Sequence, residues 1–433
     1  MRATQATTSL VEGFESTGRS GLLELTYDEA GQLRCNGCGS CARACPTDAI
    51  AVERPARSAR DGGGPPSLLA FRVDEARCIA CGACLDACRR QALAAGPDFN
   101  QRRAEWRGLV DAPHGLVSGH RLCSGCGASI VVRQVLSRVK GHYVVGIATG
   151  CLQVSSTLYP YSSWSGSCIH AGFENAAATI SGVESAYRAL RRRGRLADDV
   201  TFIAVAGDGG TYDIGLQSLS GAMERGHKML YVCYDNGAYM NTGFQRSGST
   251  PLGAWTTTSP VGPERRGKEQ HRKNVTEIMA SHGIPYVAQA SPHDPRDLMR
   301  KVDKALDADG PAFLNILSPC PRGWRAAGDL TITLARLATE CCFWPLYEVV
   351  DGCHRLTYRP KVKLPLSDWL EHQGRFAHLL RPEAAAMLKS HQEWVDREWE
   401  KLLRLCGEPP EIGGPPEASC AGRRLETVES QAP

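Results

Sequence analysis

From residue 142 onward, short apolar runs alternate with stretches whose apolar positions recur at helical spacing. HYVVGIA (142–148), VTFIAVA (200–206), KMLYVCY (228–234), IPYVAQA (284–290) and AFLNILS (312–318) are rich in β-branched residues and apolar on both faces. That is the pattern of parallel strands buried between two layers. Between them, 171–193, 214–225 and 294–308 carry the 3.6-residue period of helices. The alternation predicts an α/β domain, a parallel sheet with helices on both faces. After about 330 the pattern is mixed, with a helix expected at 382–404 and a polar, proline-rich tail, expected to be disordered, from 407 to 433. Residues 1–20 show no periodicity and read as a flexible leader.

Residues 21–105 follow another rule, because the segment repeats itself. Cys35, Cys38, Cys41 and Cys45 recur 43 residues later as Cys78, Cys81, Cys84 and Cys88, each set spaced C-x2-C-x2-C-x3-C. A repeat of this kind predicts two copies of one small unit, an α+β domain with a pseudo-twofold. The charged, glycine- and proline-rich RPARSARDGGGPP (54–66) between the copies reads as an exposed loop.

Length and composition narrow the class. A chain of 433 residues suits two or three domains, and 42% apolar residues supply their cores. A net charge of +4 is too small to point to an acidic polymer as partner, and the run Arg191, Arg192, Arg193 and Arg195 reads as a solvated helix end, so no nucleic acid is expected. No apolar run approaches the roughly 20 residues that cross a bilayer, and the N-terminal segment lacks a signal-peptide core. The expectation is a cytoplasmic protein that keeps off membranes. In that compartment thiols stay reduced, so 19 cysteines call for an explanation other than disulfides.

The tandem runs supply it. Four thiolates at this spacing ligate a [4Fe–4S] cluster, and in two-cluster ferredoxins the fourth cysteine of each run serves the other cluster. Cys35, Cys38, Cys41 and Cys88 are therefore assigned to one cluster, and Cys78, Cys81, Cys84 and Cys45 to its mate. Pro46 gives the first run the usual C-P ending, whereas Arg89 follows the second. A further C-x2-C, Cys123 and Cys126, opens the α/β domain, with Cys151 and Cys320 as candidate completing ligands beyond strands 142–148 and 312–318. Spacing alone leaves this third site open between iron and zinc. Cys168, Cys233, Cys341, Cys342, Cys353, Cys406 and Cys420 read as ordinary.

One more constellation carries chemistry. Gly207-Asp208-Gly209-Gly210 follows a strand and opens a helix, and Asn236-Gly237 follows the next strand, with Asn236 standing 28 residues beyond Asp208. Glycines at that turn let backbone approach phosphate oxygens. Asp208 offers a hard carboxylate and Asn236 an amide oxygen, a donor set suited to Mg²⁺ shared with a diphosphate. GDG followed by Asn just under 30 residues on is the fingerprint of thiamine diphosphate.

With these motifs in place, GDGGTYDIGLQSLSGAMERG, YDNGAYMNTGFQRSGSTPLGAW and SPCPRGW closely resemble the β subunit of pyruvate:ferredoxin oxidoreductase and related 2-oxoacid:ferredoxin oxidoreductases. LCSGCGA, ATGC, IHAGFENAAA, WPLYE (344–348) and HQGRF (372–376) fit the same family, so the resemblance runs from about 115 to 405. The first hundred residues resemble its two-cluster δ subunit, here fused to β. The resemblance implies a thiamine diphosphate domain over 115–330 and a β-subunit extension over 331–406. It implies a third [4Fe–4S] cluster on Cys123, Cys126, Cys151 and Cys320. It implies Mg²⁺ on Asp208, Asn236 and the Ala238 carbonyl, a diphosphate cradle at Gly207–Gly210, and a cofactor-facing stretch Gly237, Ala238, Tyr239, Met240. Asn241 would face the substrate, and Cys151 would lie beside the thiamine. The activity implied is reversible, coenzyme A-dependent oxidative decarboxylation of pyruvate to acetyl-CoA and CO2, with three clusters relaying electrons to ferredoxin. An aryl or branched-chain 2-oxoacid such as phenylglyoxylate is the alternative substrate, and a pure electron-transfer subunit the alternative role. The family draws the activating glutamate from a pyrimidine-binding α subunit and also contains a γ subunit, so the chain is expected to be inactive alone.

Overall fold

The computed structural model describes residues 22–408 apart from 46, 48, 54–67, 69, 75–77, 79 and 111–114, and backbone alone for 105–110. The expected leader, the 54–66 loop, Pro46, Cys420 and all but the first two residues of the expected tail lie outside the described residues. Two compact units divide the chain, Met1–Ala112 and Pro113–Pro433.

The first unit is built twice over. Strand β1 (Leu23–Leu25) pairs antiparallel with β4 (Leu93–Ala95), and β2 (Ile50–Glu53) with β3 (Ala70–Val73). Two short helices, α1 (Ser40–Ala44) and α2 (Ala83–Asp86), pack on each other, and α3 (Pro97–Val110) closes the unit. Each short helix starts from a glycine of the cysteine run, Gly39 at φ 71° and Gly82 at φ 90°. A residue with a Cβ is strained there, so glycine lets the loop turn into the helix at the same place in both copies. Leu22, Leu23, Ile50, Leu93 and Phe99 form the core with Cys41 and Cys84. Helix α3 runs five residues past the expected boundary at 105.

The second unit is an eight-stranded sheet. Its strands are β5 (His142–Ala148), β6 (Ser167–Ala171), β7 (Val200–Gly207), β8 (Leu230–Asp235), β9 (Tyr286–Ala290), β10 (Ala312–Leu317), β11 (Tyr347–Val350) and β12 (Cys353–Leu356). They lie in the order β12-β11-β9-β10-β8-β7-β5-β6. Strands β5 to β10 are parallel, while β11 and β12 add an antiparallel hairpin at one edge. Period-2 alternation serves two cores. Phe202, Ala204 and Ala206 of β7 face one, and Ile203 and Val205 face the other. The expected parallel sheet is thus present with an antiparallel edge, and the extension over 331–406 continues the same sheet through β11.

Helices cover both faces. They are α4 (Gly127–Leu136), α5 (Cys151–Ser156), α6 (Ala176–Arg192), α7 (Leu216–Glu224), α8 (Val275–Ala280), α9 (Pro295–Asp307), α10 (Pro321–Trp324), α11 (Thr331–Glu340), α12 (Leu366–Leu370) and α13 (Ala385–Leu405). Helix α9 shows why they form where they do. The Asp294 side chain accepts from the Asp297 N–H, Pro295 fills the first turn, and Leu298, Val302 and Ala305 make the buried stripe. The chain runs from β5 outward to β6, then returns to the other side of β5 as β7, so the sheet reverses its winding at β5–β7. Crevices at the carboxyl ends of such strands are where open α/β sheets bind ligands.

Candidate functional site

Three strand ends meet at that reversal. After β5 come Thr149, Gly150 and Cys151; after β7, Asp208 and a tight turn at Gly209–Asp213; after β8, Asn236 to Thr242. Cys151, Gly207, Gly209, Gly210, Asn236, Ala238, Tyr239, Met240 and Asn241 all line one cleft there, with Phe173 and Tyr234. The glycines are needed for shape. A Cβ on Gly209 would run into the Tyr239 ring, and one on Gly210 would stand 3.0 Å from the Phe173 carbonyl oxygen. Gly237 takes φ 79°, which lets the chain turn directly behind Asn236. Asn241 is exposed at the cleft's rim.

Beneath the cleft, Asp208 is wholly buried. Its Oδ2 accepts from the Ser247 hydroxyl at 2.5 Å and its Oδ1 from the Asn236 N–H at 3.1 Å. Burial above all, and the neighbouring Asp235 next, push its carboxyl well above the usual carboxylate range. Asp235 is held by the Arg272 guanidinium at 3.0 Å, the Tyr212 hydroxyl at 2.6 Å and the Ser249 hydroxyl at 2.6 Å. Arg272 in turn lies 4.4 Å from the Trp344 ring centre. Two buried carboxyl groups thus stand close together in a dry setting, and Arg272 contacts only Asp235 of the two.

The Asn236 amide turns one terminal atom towards two oxygens. One of its terminal atoms lies 3.0 Å from Asp208 Oδ1 and 2.8 Å from the Ala238 carbonyl oxygen. With nitrogen there, the amide donates to both. With oxygen there, three oxygens from Asp208, Asn236 and Ala238 converge on one point.

Beside this cleft a second group forms. The Gly127 N–H donates to the Pro319 carbonyl at 3.1 Å, and a Cβ on Gly127 would stand 2.8 Å from Pro319 backbone atoms. That close approach presses the Cys123–Cys126 loop against the end of β10. Cys151, at the start of α5, joins them. Burial first, then the charges of Cys320, Cys126 and Cys123, push its thiol up to about 12, so the four sulfurs lie within electrostatic reach of one another. Burial likewise raises Cys320 to about 11. Arg375, from HQGRF, is buried nearby. It donates twice to Gln373 Oε1, stacks 4.2 Å from the Trp324 ring centre, and is lowered to about 9 by burial against the opposing charges of Cys320, Asp235 and Asp208.

In the first unit, thiols of the two cysteine runs stand near one another. Cys35 is surrounded by Cys88 and Cys38, and Cys41 by Cys35 and Cys38. Cys78 faces Cys45 and Cys81, and Cys84 faces Cys78 and Cys81. Cys35, Cys38, Cys41 and Cys88 line a single cleft.

Known proteins repeat both halves. Residues 148–316 match the model of the thiamine pyrophosphate enzyme C-terminal TPP-binding domain, and residues 32–93 that of the 4Fe-4S dicluster domain. Pyruvate synthase subunit PorB of Thermotoga maritima is 55% identical over 297 residues, 67% of this chain and 92% of that protein. The chain belongs to the β-subunit family of the 2-oxoacid:ferredoxin oxidoreductases. PorB of Methanothermobacter thermautotrophicus is 52% identical over 287 residues, covering 66% of this chain and 96% of that protein. Ketoisovalerate oxidoreductase subunit VorB of Pyrococcus abyssi is 43% identical over 290 residues, covering 66% and 92%. A β subunit is by definition part of a multi-subunit enzyme.

Several residues of this β subunit's site carry no motif. Ser247, Tyr212, Asp235 and Arg272 hold Asp208 and its surroundings from positions up to 64 residues away along the chain. Asp235 stands beside Asn236, and that adjacency was the single sequence signal among them. No helix among the described residues is long and apolar enough to cross a membrane.

Proposed function

We propose that this chain provides the diphosphate- and metal-binding half of a thiamine active site, and the electron path leading from it, in a pyruvate:ferredoxin oxidoreductase. The enzyme would convert pyruvate and coenzyme A to acetyl-CoA and CO2, reversibly. The observation that carries this reading is the convergence of Asp208, Asn236 and Ala238 oxygens. Octahedral Mg²⁺ with bonds of about 2.0–2.1 Å holds neighbouring oxygens roughly 3 Å apart, and the Asn236 amide stands 3.0 and 2.8 Å from its two neighbours. Gly207, Asp208, Gly209 and Gly210 would cradle the diphosphate. Bound thiamine diphosphate supplies an electron sink that lets a 2-oxoacid release CO2.

The chain's own residues then have distinct tasks. Asn241, exposed on the rim, would meet the substrate, while Phe173 and Tyr239, with ring centroids 5.5 Å apart, narrow the cleft. Cys151 borders the cleft and also belongs to the four-thiol group, so the same residue touches both halves of the chemistry. For that group a single tetrahedral zinc would need sulfurs roughly 3.8 Å apart, given Zn–S bonds of about 2.3 Å. Among the described residues no three such side chains gather round one ion's position, yet these four sulfurs feel one another's charge. A [4Fe–4S] cube, which gives each sulfur its own iron, takes four thiolates set further apart than a single zinc would hold them. The first unit would hold two more cubes.

The matched thiamine model is the C-terminal, diphosphate-binding domain, and the second unit has one parallel sheet for it. The glutamate that activates the aminopyrimidine, and a substrate-binding arginine, would come from an α subunit, with γ completing the complex and ferredoxin taking the electrons. The test is anaerobic co-production with the partner subunits and assay of pyruvate, 2-oxoisovalerate and phenylglyoxylate with coenzyme A and ferredoxin. Pyruvate should give the highest kcat/KM. A higher value for 2-oxoisovalerate would move the chain to the VorB specificity, and a purified complex without thiamine would leave it an electron-transfer subunit.

A further inference from the structure

The first unit carries a charge pattern that cluster binding does not require. Arg34 directly precedes Cys35, Arg43 lies on α1, and Arg89 and Arg90 directly follow Cys88. All four therefore belong to the segments that bear Cys35, Cys38, Cys41 and Cys88. Arg43, Arg89 and Arg90 are exposed and Arg34 is half-buried. Three of them are also tied to backbone carbonyls. Arg90 Nε donates to the Arg34 carbonyl at 2.9 Å, and Arg43 Nη1 donates to the Cys38 carbonyl at 3.2 Å. Arg34 Nε donates to the Tyr27 carbonyl at 3.1 Å. Arg89 and Arg90 line the cleft itself, where Asp86 is the one carboxylate among the described lining residues. The side chains of Arg34 and Arg90 donate to carbonyl oxygens and that of Arg43 to a carbonyl and the Ser40 hydroxyl, so among the described residues these charges are paired with no carboxylate.

The other four-thiol group has arginines near it too: Arg77 directly precedes Cys78 in the sequence, and from α3 Arg102 donates to the Cys78 carbonyl at 3.0 Å while Arg103 stands beside Gly82. Arginines from three separate segments converge at the first group.

We propose that this collar of Arg34, Arg43, Arg89 and Arg90 is the docking surface for an acidic one-electron carrier protein, which draws electrons from the cluster on Cys35, Cys38, Cys41 and Cys88. The inference rests on the cluster assignment of the proposed function. Each transfer oxidises the reduced cluster by one electron and reduces the carrier's metal centre by one, and no atom changes hands. A carrier must arrive fast and leave once charged, which favours a small polar contact steered by charge over a large apolar one. Exposed arginines around a cluster mouth meet that need.

The experiment uses the whole anaerobic complex and reads pyruvate-driven reduction of an acidic two-[4Fe–4S] ferredoxin against that of methyl viologen. Raising salt from about 0.01 M to about 0.1 M shortens the screening length from roughly 30 Å to roughly 10 Å. The parent's kcat/KM for ferredoxin should fall steeply across that range. The double variant Arg89→Glu with Arg90→Glu should lose about tenfold or more of that kcat/KM at low salt and most of its salt dependence. Its viologen activity and iron content should match the parent's. Arg89→Glu alone should show the same change in smaller measure, which keeps the result readable if the double variant loses iron. Parent-like ferredoxin kinetics in both variants would overturn the proposal, as would loss of subunit association, which would make the collar a subunit interface. Absence of pyruvate-driven viologen reduction in the parent would instead defeat the function on which the proposal rests.

Discussion

Gly127→Ala tests how the third thiol group is assembled. Gly127 opens α4, and its missing Cβ is what lets the Cys123–Cys126 loop lie against the end of β10. A methyl there would meet Pro319 N, Pro319 O and Ser318 C, each at 2.8 Å, all of them backbone atoms with no rotamer to yield. Ordinary contact begins near 3.4 Å, so the two segments must part by about 0.6 Å. Overpacking of this kind costs about 1–3 kcal/mol, which in a unit this size lowers Tm by roughly 2–10 °C. The displacement falls on Cys320, one residue beyond Pro319, and strains the group it forms with Cys123, Cys126 and Cys151. Iron should drop from about 12 atoms per chain towards about eight, because the two runs of the first unit keep their own ligands. The assays are iron analysis, electron paramagnetic resonance of the reduced protein and thermal unfolding. Gly182→Ala is the control: no atom lies within 4 Å of its Cβ position, and in mid-helix α6 the change should add about 0.5–1 kcal/mol. A Gly127→Ala protein with full iron and parent Tm would refute the claim that this contact brings the ligands together.

Other residues give further tests. Asp208→Asn should weaken Mg²⁺–thiamine diphosphate binding to the complex by about 100-fold or more while leaving iron content untouched; equal binding by calorimetry would remove Asp208 as a ligand. Arg272→Met leaves Asp235 buried without its cation and should cost about 3–5 kcal/mol in urea unfolding; a loss under 1 kcal/mol would show that the pair at 3.0 Å counts for little. His391 is wholly buried with both ring nitrogens unpartnered, and burial, then His271 and Arg375, push it down to about 3. Its folded value lies below the unfolded one, so between about pH 6.5 and pH 3 the unfolded chain binds the extra proton and stability falls as pH falls. His391→Phe should remove up to about 1.4 kcal/mol per pH unit of that loss, and parallel urea-midpoint curves for parent and variant would contradict it.

What the sequence disclosed depended on how local the cause was. Residues 142–148 read as a strand because the run is apolar and β-branched within itself, and β5 occupies those same residues with its last four buried. Strand β6 escaped notice: Ser167–Ala171 lies at the sheet's edge, its exposure follows no period, and the helical reading of 171–193 ran over its last residue. The β11–β12 hairpin had a readable signal. Asp351 and Gly352 form a two-residue turn with both at positive φ, a pairing that marks hairpins, and it was hidden in a region read as mixed. The runs of four cysteines were legible because their spacing is itself the geometry. Cys151 and Cys320, far apart in sequence, needed the sheet to bring them together. Ser247 and Arg272 reach their carboxylates from 39 and 37 residues away, and no local pattern records such a reach.

At the proposed cation site the amide of Asn236 can turn either its oxygen or its nitrogen towards Asp208 and Ala238. With its nitrogen turned inward, it donates to Asp208 and Ala238 and occupies oxygens that would otherwise face one another. Half a turn of one side-chain torsion would present those oxygens to Mg²⁺ under the proposed function. Loading and unloading would then call for the rotation of a single amide, while the Asn236 and Gly237 N–H groups keep donating to Asp208 and Asp235 and the Thr250 hydroxyl to the Gly237 carbonyl. Exchange of the ion should be fast compared with any refolding of the loop, and the cleft should hold its shape between cofactors.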